Sequence, residues 1–156
     1  MAKKQKRIIG AIVKIDLESG YHSYARILDK ASYAFYDIYV KEDLNIEDIL
    51  KRPILYTLAA YDDIIKNGLW KVVSKKIPIE NYLKEQPMQF IQDKLNPESF
   101  ELYNPNTGEI TPTKKKKCKG LEEAAVWEEW EIKERLQDHF TGKPDKTLLE
   151  YIKIFG

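Results

Sequence analysis

At 156 residues and 18.3 kDa, with 43% hydrophobic and 12% aromatic side chains, the chain can bury a core without help from disulfides or metal. Its 26 Lys+Arg balance 25 Asp+Glu, which excludes a long-range attraction to polyanions and requires any charged partner to be recognised locally. Cys118 is the single cysteine, so an intramolecular disulfide and a Cys/His zinc cluster are both excluded.

This length suggests one domain, 1–156, with a basic and flexible N-terminus at 1–7 and a turn and lysine-rich loop at 104–119. The opening "MAKKQKRIIGAIVKID" is basic but carries no apolar signal-peptide core. No segment approaches the roughly 18 apolar residues of a membrane span, and a cytoplasmic protein is expected.

In chain order, "GAIVKIDL" (10–17) reads as a strand, and "ESG" as a turn in which Gly20 can take positive φ. "YHSYARIL" (21–28) and "YAFYDIYV" (33–40) combine aromatic and β-branched residues, which suits an antiparallel meander or part of a small barrel. Asn45, with Asp48 three residues on, opens a short helix that stops near Pro53. "ILYTLAAYDDIIKNG" is open between a strand turning into a helix and one longer helix, and Asn67 and Gly68 end it either way. "LWKVV" is a short strand, Pro78 opens a brief helix at "IENYLK", and "PMQFIQDKL" and "SFELY" are extended, with "NPNTG" turning the chain toward "EITP". The expected fold is α+β: a mostly antiparallel β-sheet or small barrel of about five to seven strands, with short peripheral helices at 46–52, 61–67, 121–127 and 130–140.

The segment "KKKKCKGLEEAAVWEEWEIKERLQDHF" (114–140) concentrates the unusual chemistry. Lys114, Lys115, Lys116, Lys117 and Lys119 could neutralise phosphates, and with the N-terminal "KKQKR" they define a nucleic-acid-binding alternative. No stacking ladder of aromatics accompanies them, and glutamates at 122, 123, 128, 129, 131 and 134 would meet a polyanion within a Debye length of about 8 Å. A solvated loop is the simpler reading. The Cys118 thiol could be acidified by the neighbouring ammonium groups, but no histidine stands near in sequence to serve as its base.

At about 100° per residue, a continuous helix would align Leu121, Ala125, Ile132, Leu136 and Phe140 and turn Trp127 and Trp130 to the opposite face. Either the helix breaks near Glu128 and Trp127 turns inward, or a partner covers both rings. The break is favoured for Trp127 and leaves Trp130 as the exposed aromatic, flanked by Glu128, Glu129, Glu131 and Glu134. A second candidate surface is the tyrosine-rich meander, Tyr21, His22, Tyr24, Tyr33, Tyr36 and Tyr39, although strand alternation sends about half of such side chains inward. His139 suits the negative end of the last helix. The chain has no glycine-rich phosphate loop, no His-x-x-x-His or Cys-x-x-Cys pair and no serine elbow. Asp37, Asp62, Asp63, Asp93 and Arg135 could assemble a carboxylate site only through the fold, and no catalysis, cofactor or metal is expected.

Several stretches in order, "GAIVKIDLESGYHSYARIL", "AFYDIYV", "RPILYTLAAYDDIIKNGLWKVV", "FIQDKLNPESFELYNPNTGEI", "CKGLEEAAVW" and "IKERLQDHFTGKPDK", resemble the immunity protein 26 family of bacterial polymorphic toxin systems. The resemblance implies a mostly β, non-catalytic protein that binds and neutralises a cognate toxin domain. Gly20, Gly68, Trp70, Asp93, Gly120, Leu121, Glu122, Trp127, Arg135 and Gly142 match recurring family positions, which implies structural roles. The chain departs from the pattern after Trp127, where relatives tend to have an Asp-Pro step and a nearby histidine and this sequence has Glu128, Glu129, Trp130 and Glu131. Many antibacterial toxins are nucleases with basic clefts, so an acidic ridge bearing a tryptophan can imitate a phosphate track and supply an aromatic anchor. The expected toxin-binding residues are therefore Glu128, Glu129, Trp130, Glu131 and Glu134, with Tyr21, His22 and Tyr24 as a second patch. The competing account is a solvated helix face with Trp130 packed on its own domain.

Overall fold

A computed structural model describes residues 4–156; Met1, Ala2 and Lys3 of the basic N-terminal stretch lie outside the described residues. The chain groups into two compact units, 1–84 with 126–143, and 85–125 with 144–156. Numbered along the chain, the first unit holds strands β1 (Ile12–Asp16), β2 (His22–Ile27), β3 (Ser32–Tyr36), β4 (Ile54–Ala60), β5 (Lys71–Val72) and β10 (Val126–Trp127). Its helices are α1 (Ile46–Leu50), α2 (Asp63–Lys66), α3 (Asn81–Lys84) and α4 (Glu129–Thr141). The six strands form one sheet in the order β10-β4-β3-β2-β1-β5. The meander anticipated for β1, β2 and β3 is present, with Val13 opposite Ala25 and Ala25 opposite Phe35, and only β10 runs parallel to its neighbour.

Successive side chains of a strand point to opposite faces, and here both faces are covered. Val13, Phe35 and Trp70 pack with Ile132 and Leu136 of α4 on one side, while Ile12, Tyr24 and Tyr36 pack with Ile49 of α1 on the other. Every residue of β2 and β3 is buried. This double covering corrects the expectation that alternation would leave half of the meander tyrosines outside: Tyr24, Tyr33 and Tyr36 are all interior, and so is His22.

Double burial also traps Arg26, whose side chain has no solvent access. All five of its N–H donors are satisfied. Nε donates to the Gly10 carbonyl at 2.7 Å, Nη1 to the Tyr36 hydroxyl at 3.3 Å and the Glu80 carboxylate at 3.2 Å, and Nη2 to the carbonyls of Ile77 at 3.2 Å and Pro78 at 3.0 Å. Gly10 approaches the same segment so closely, at φ +97°, that a Cβ there would fall on the Ile77 carbonyl oxygen. The guanidinium thus ties β2 to the 77–80 stretch, which has no strand partner of its own among the described residues.

The described part of the basic N-terminus is not a loose arm. Gln5 bonds the Ile65 and Trp70 carbonyls and the Val72 N–H, and Arg7 bonds the Leu28 and Ser32 carbonyls while its guanidinium lies over the Tyr33 ring. Asn45 caps α1 through Asp48 N–H as the sequence suggests. "ILYTLAA" resolves as strand β4, followed by the short α2. The helix expected over 121–127 is absent; two-residue strands take its place, because Gly120 has φ +90° and the Glu122–Glu123 and Val126–Trp127 backbones are drawn into parallel pairing.

The second unit holds β6 (Gln89–Gln92), β7 (Phe100–Tyr103), β8 (Ile110–Thr113), β9 (Glu122–Glu123) and helix α5 (Lys146–Phe155), with its sheet in the order β8-β7-β6-β9. Its core is Phe90, Phe100 and Cys118, covered by Tyr151, Ile154 and Phe155 of α5. The sequence reading missed α5, whose start is marked by Asp145 accepting from the Thr147 and Leu148 N–H groups. Nor are residues 104–119 simply a loop: they contain β8 and a 3-10 turn at Lys115–Lys117. The architecture is α+β with mostly antiparallel sheet, divided over two sheets. No helix among the described residues is long and apolar enough to cross a membrane.

Two measurements test this account of the first unit, which contains all three tryptophans and is therefore reported by their fluorescence. Arg26→Met should lower stability by about 3–5 kcal/mol, because it strands buried carbonyls and the Glu80 charge. Arg26→Lys should restore only part of that, since an ammonium has fewer donors and no planar fork. A loss below about 1 kcal/mol in urea unfolding would remove Arg26 from this role. His22, whose ring nitrogen lies 3.0 Å from the Tyr24 hydroxyl, has its pKa pushed below the usual value by burial and by the Lys14 charge. Between that lowered value and about 6.5 the unfolded chain binds more protons than the folded one, so stability rises with pH in this window and is lost as pH falls through it. The urea midpoint should drop between about pH 7 and pH 5.5, and His22→Gln should flatten that dependence; an unchanged slope would contradict the assignment.

Candidate functional site

α4 starts where the sequence places the departure from the family pattern. The Glu128 N–H donates to the Glu131 carboxylate at 2.9 Å, closing the first turn as half of a capping box. Glu129 accepts the Trp70 indole N–H at 3.0 Å and faces Lys133 at 4.0 Å. Trp70 is fully buried, edge-on to Tyr33 and Phe35, so this bond fixes the rotational phase of α4 on the sheet. With Ile132, Arg135 and Leu136 turned inward, the residue after Glu129 must point out, and Trp130 is 63% exposed.

The far end of α4 is held by a second device. Tyr21 stacks on Tyr39 at 4.0 Å, and Tyr39 stacks on Phe140 at 5.0 Å, both nearly parallel. Gln137 bridges by donating to the Tyr39 hydroxyl and accepting the Glu18 N–H. Gly142 then ends the helix at φ +76°, a conformation that a side chain would strain, and its N–H returns to the Asp138 carbonyl.

Between these anchors lies a groove of about 490 Å³, lined by Leu17 and Glu18 of the β1–β2 turn and by Trp130, Glu134, Gln137 and Asp138 along α4. Lys133 and Lys143 also line it. Its lining carries four carboxylates, Glu18, Glu129, Glu134 and Asp138, against two ammonium groups, Lys133 and Lys143, an acidic balance.

The structure therefore sorts the acidic candidates. Trp130 and Glu134 share the groove, Glu129 lines it while bonded to Trp70, Glu131 holds the helix cap, and Glu128 is exposed just before the helix. His22 and Tyr24 are buried and bonded to each other, so they offer no surface, and Tyr21 is half-buried in its stack. Sequence reasoning missed Glu18, Gln137 and Asp138. Asp138 and Glu134 follow Trp130 at helical spacing and were legible; Glu18 joins them only through the fold.

The motif residues take structural positions. Gly20, Gly68, Gly120 and Gly142 all have positive φ. Arg135 is buried with its guanidinium over the Tyr56 ring at 4.1 Å and the Trp127 ring at 5.4 Å, and Trp127 packs inward as the broken-helix reading expects. Asp93 folds a turn by accepting the Leu95 and Asn96 N–H groups, Glu122 accepts the Tyr151 hydroxyl, and Leu121 packs on the second unit's core.

The catalytic and polyanion alternatives fare differently at each residue. Asp62 pairs with Arg7 and Lys66, Asp37 with His139 at 3.6 Å, and Arg135 is held between aromatic rings. Among the described residues no three His, Cys, Asp or Glu side chains could hold a metal ion. Burial pushes the Cys118 thiol pKa up, opposite to the acidification its lysine neighbours suggest in sequence. Lys114, Lys115, Lys116, Lys117 and Lys119 are exposed, while Lys4 donates to Asn67 and Arg7 is taken up inside its unit.

No curated protein and no solved structure matches the chain. The family model described as Immunity protein 26 matches residues 8–101, more than half of the sequence, and includes Gly20, Gly68, Trp70 and Asp93. The chain belongs to the Immunity protein 26 family.

Proposed function

We propose that this immunity protein neutralises a cognate toxin domain of a polymorphic toxin system by occupying it in a tight complex, with α4 and its groove as the docking face. The reading takes both units as one immunity-protein domain acting in the cytoplasm of the producing cell and catalysing nothing itself. The observation that carries it is Trp130, held 63% exposed at the rim of an acidic groove on a helix whose orientation is fixed at both ends. A large aromatic on a pre-organised support can be buried on binding at little conformational cost, and the surrounding carboxylates favour a basic partner surface and accelerate encounter.

The test is to titrate the cognate toxin domain against the protein and two variants. Trp130→Ala should weaken binding by about 2 kcal/mol, roughly thirtyfold, mainly through faster dissociation. Glu134→Lys should slow association, and the effect should shrink as salt rises. Unchanged affinity in both variants would remove this face from consideration. Steep salt-dependent binding of random RNA or DNA, without toxin binding, would favour the lysine-borne nucleic-acid alternative instead.

A further inference from the structure

The turn between β1 and β2 has a shape that its hairpin does not require. The Leu17 N–H closes it by donating to the Tyr21 carbonyl at 2.8 Å, and a loop of this length needs one left-handed residue at its end, which Gly20 supplies at φ +79°. Ser19 is left-handed as well, at φ 61° and ψ 29°, a conformation that costs free energy for a residue with a Cβ. A contact from outside the hairpin accompanies this departure: the Glu18 N–H donates to Gln137 Oε1 on α4 at 3.0 Å. Gln137 is itself oriented, because its Nε2 donates to the Tyr39 hydroxyl at 3.2 Å and the Tyr39 ring is stacked on both Tyr21 and Phe140. With the amide nitrogen so engaged, its oxygen is kept toward the turn.

The base of the turn is anchored by Leu17, which packs on the first unit's core, while Glu18, Ser19 and Gly20 are exposed. Strain in an exposed turn adds nothing to core packing, and conformations of this kind cluster where a ligand is clamped. Here the strained residue follows Leu17 and Glu18, which line the 490 Å³ groove together with Trp130 of α4. The Glu18 carboxylate has no ion-pair or hydrogen-bond partner among the described residues, whereas Lys133 of the same groove stands at Glu129. The turn therefore presents one uncommitted negative charge on a pre-set backbone.

We propose, on the reading of α4 as the docking face, that the β1–β2 turn is the second jaw of that face and selects the partner: Gln137 holds the turn in place, and Glu18 receives a basic side chain of the toxin domain. Gln137 is a positioning residue, acting through the Glu18 N–H. The toxin enters between the turn and Trp130.

Calorimetric titration of the full chain with the cognate toxin domain, together with amide hydrogen exchange on the free protein, tests this. Gln137→Met should speed exchange at the Glu18 N–H and weaken toxin binding by about tenfold. Gln137→Glu keeps an acceptor for both the Glu18 N–H and the Tyr39 hydroxyl, and should stay within about twofold of the parent. Glu18→Ala should cost about fivefold in the parent but less than about twofold in the Gln137→Met background, because a released turn no longer presents the carboxylate; a merely structural Gln137 would leave the two effects additive. Additive effects, or equal losses in Gln137→Met and Gln137→Glu, overturn the positioning role. Unchanged affinity in both Gln137→Met and Glu18→Ala, with Trp130→Ala still weakening binding, overturns the second jaw and leaves the α4 face standing. If Trp130→Ala and Glu134→Lys are also without effect, the face itself is lost. Should Gln137→Met fail to fold, Glu18→Ala at its exposed position still decides, since unchanged affinity there removes the turn from the site.

Discussion

The satisfied guanidinium of Arg26 is the constraint on which the first unit depends. A charge placed in the middle of a doubly covered sheet is tolerable only if every donor finds an acceptor, and here three backbone carbonyls, a phenol and a carboxylate converge on it. Apart from the Tyr36 hydroxyl on β3, those acceptors come from Gly10, at the entry to β1, and from the irregular 77–80 stretch, so one side chain ties these segments to the sheet. The absence of a side chain at Gly10 lets the two backbones meet at the required distance. With the strands so fixed, Trp70 is presented on the opposite layer, and its indole N–H sets α4.

That chain of contacts turns a packing problem into a surface. Ile132 and Leu136 would allow some rotation of α4, because apolar contacts are not directional. The Trp70–Glu129 bond and the Tyr21–Tyr39–Phe140 stack are directional, and together they pin both ends of the helix. Trp130 is outside because its neighbours are held inside. A face held in this way would need little reorganisation on complex formation, which fits the docking role proposed for it.

How much of this was written visibly in the sequence varies by the range of the interactions involved. The meander, the α1 cap at Asn45, the turn at Gly20 and the break before Trp130 rest on local patterns, and each is present. The 121–127 stretch misled because Leu121 and Ala125 happen to share helical phase, whereas its backbone is claimed by distant strands, an outcome no window of sequence reveals. His22 and Tyr24 form part of the expected second patch because their amphipathic rings suit an interface; alternation could not show them buried, since it presumes one wet face and the sheet has none at its centre. Glu18 could not be found by spacing, since it meets Gln137 across more than a hundred residues. The cap and apolar period of α5 are both local and therefore legible in the sequence, at Asp145 and at Leu148, Tyr151, Ile152 and Phe155.

The path of the chain has one further consequence. It leaves the first unit after α3, builds the second sheet, returns to supply β10 and α4, and departs again for α5. Neither unit is a contiguous stretch, so recombination with a single crossover would separate α4 from the strands that orient it or α5 from the phenylalanines it covers. Exchange of whole segments would thus disturb the packing of both units, whereas point changes at exposed positions such as Trp130 and Ile152 would leave it intact.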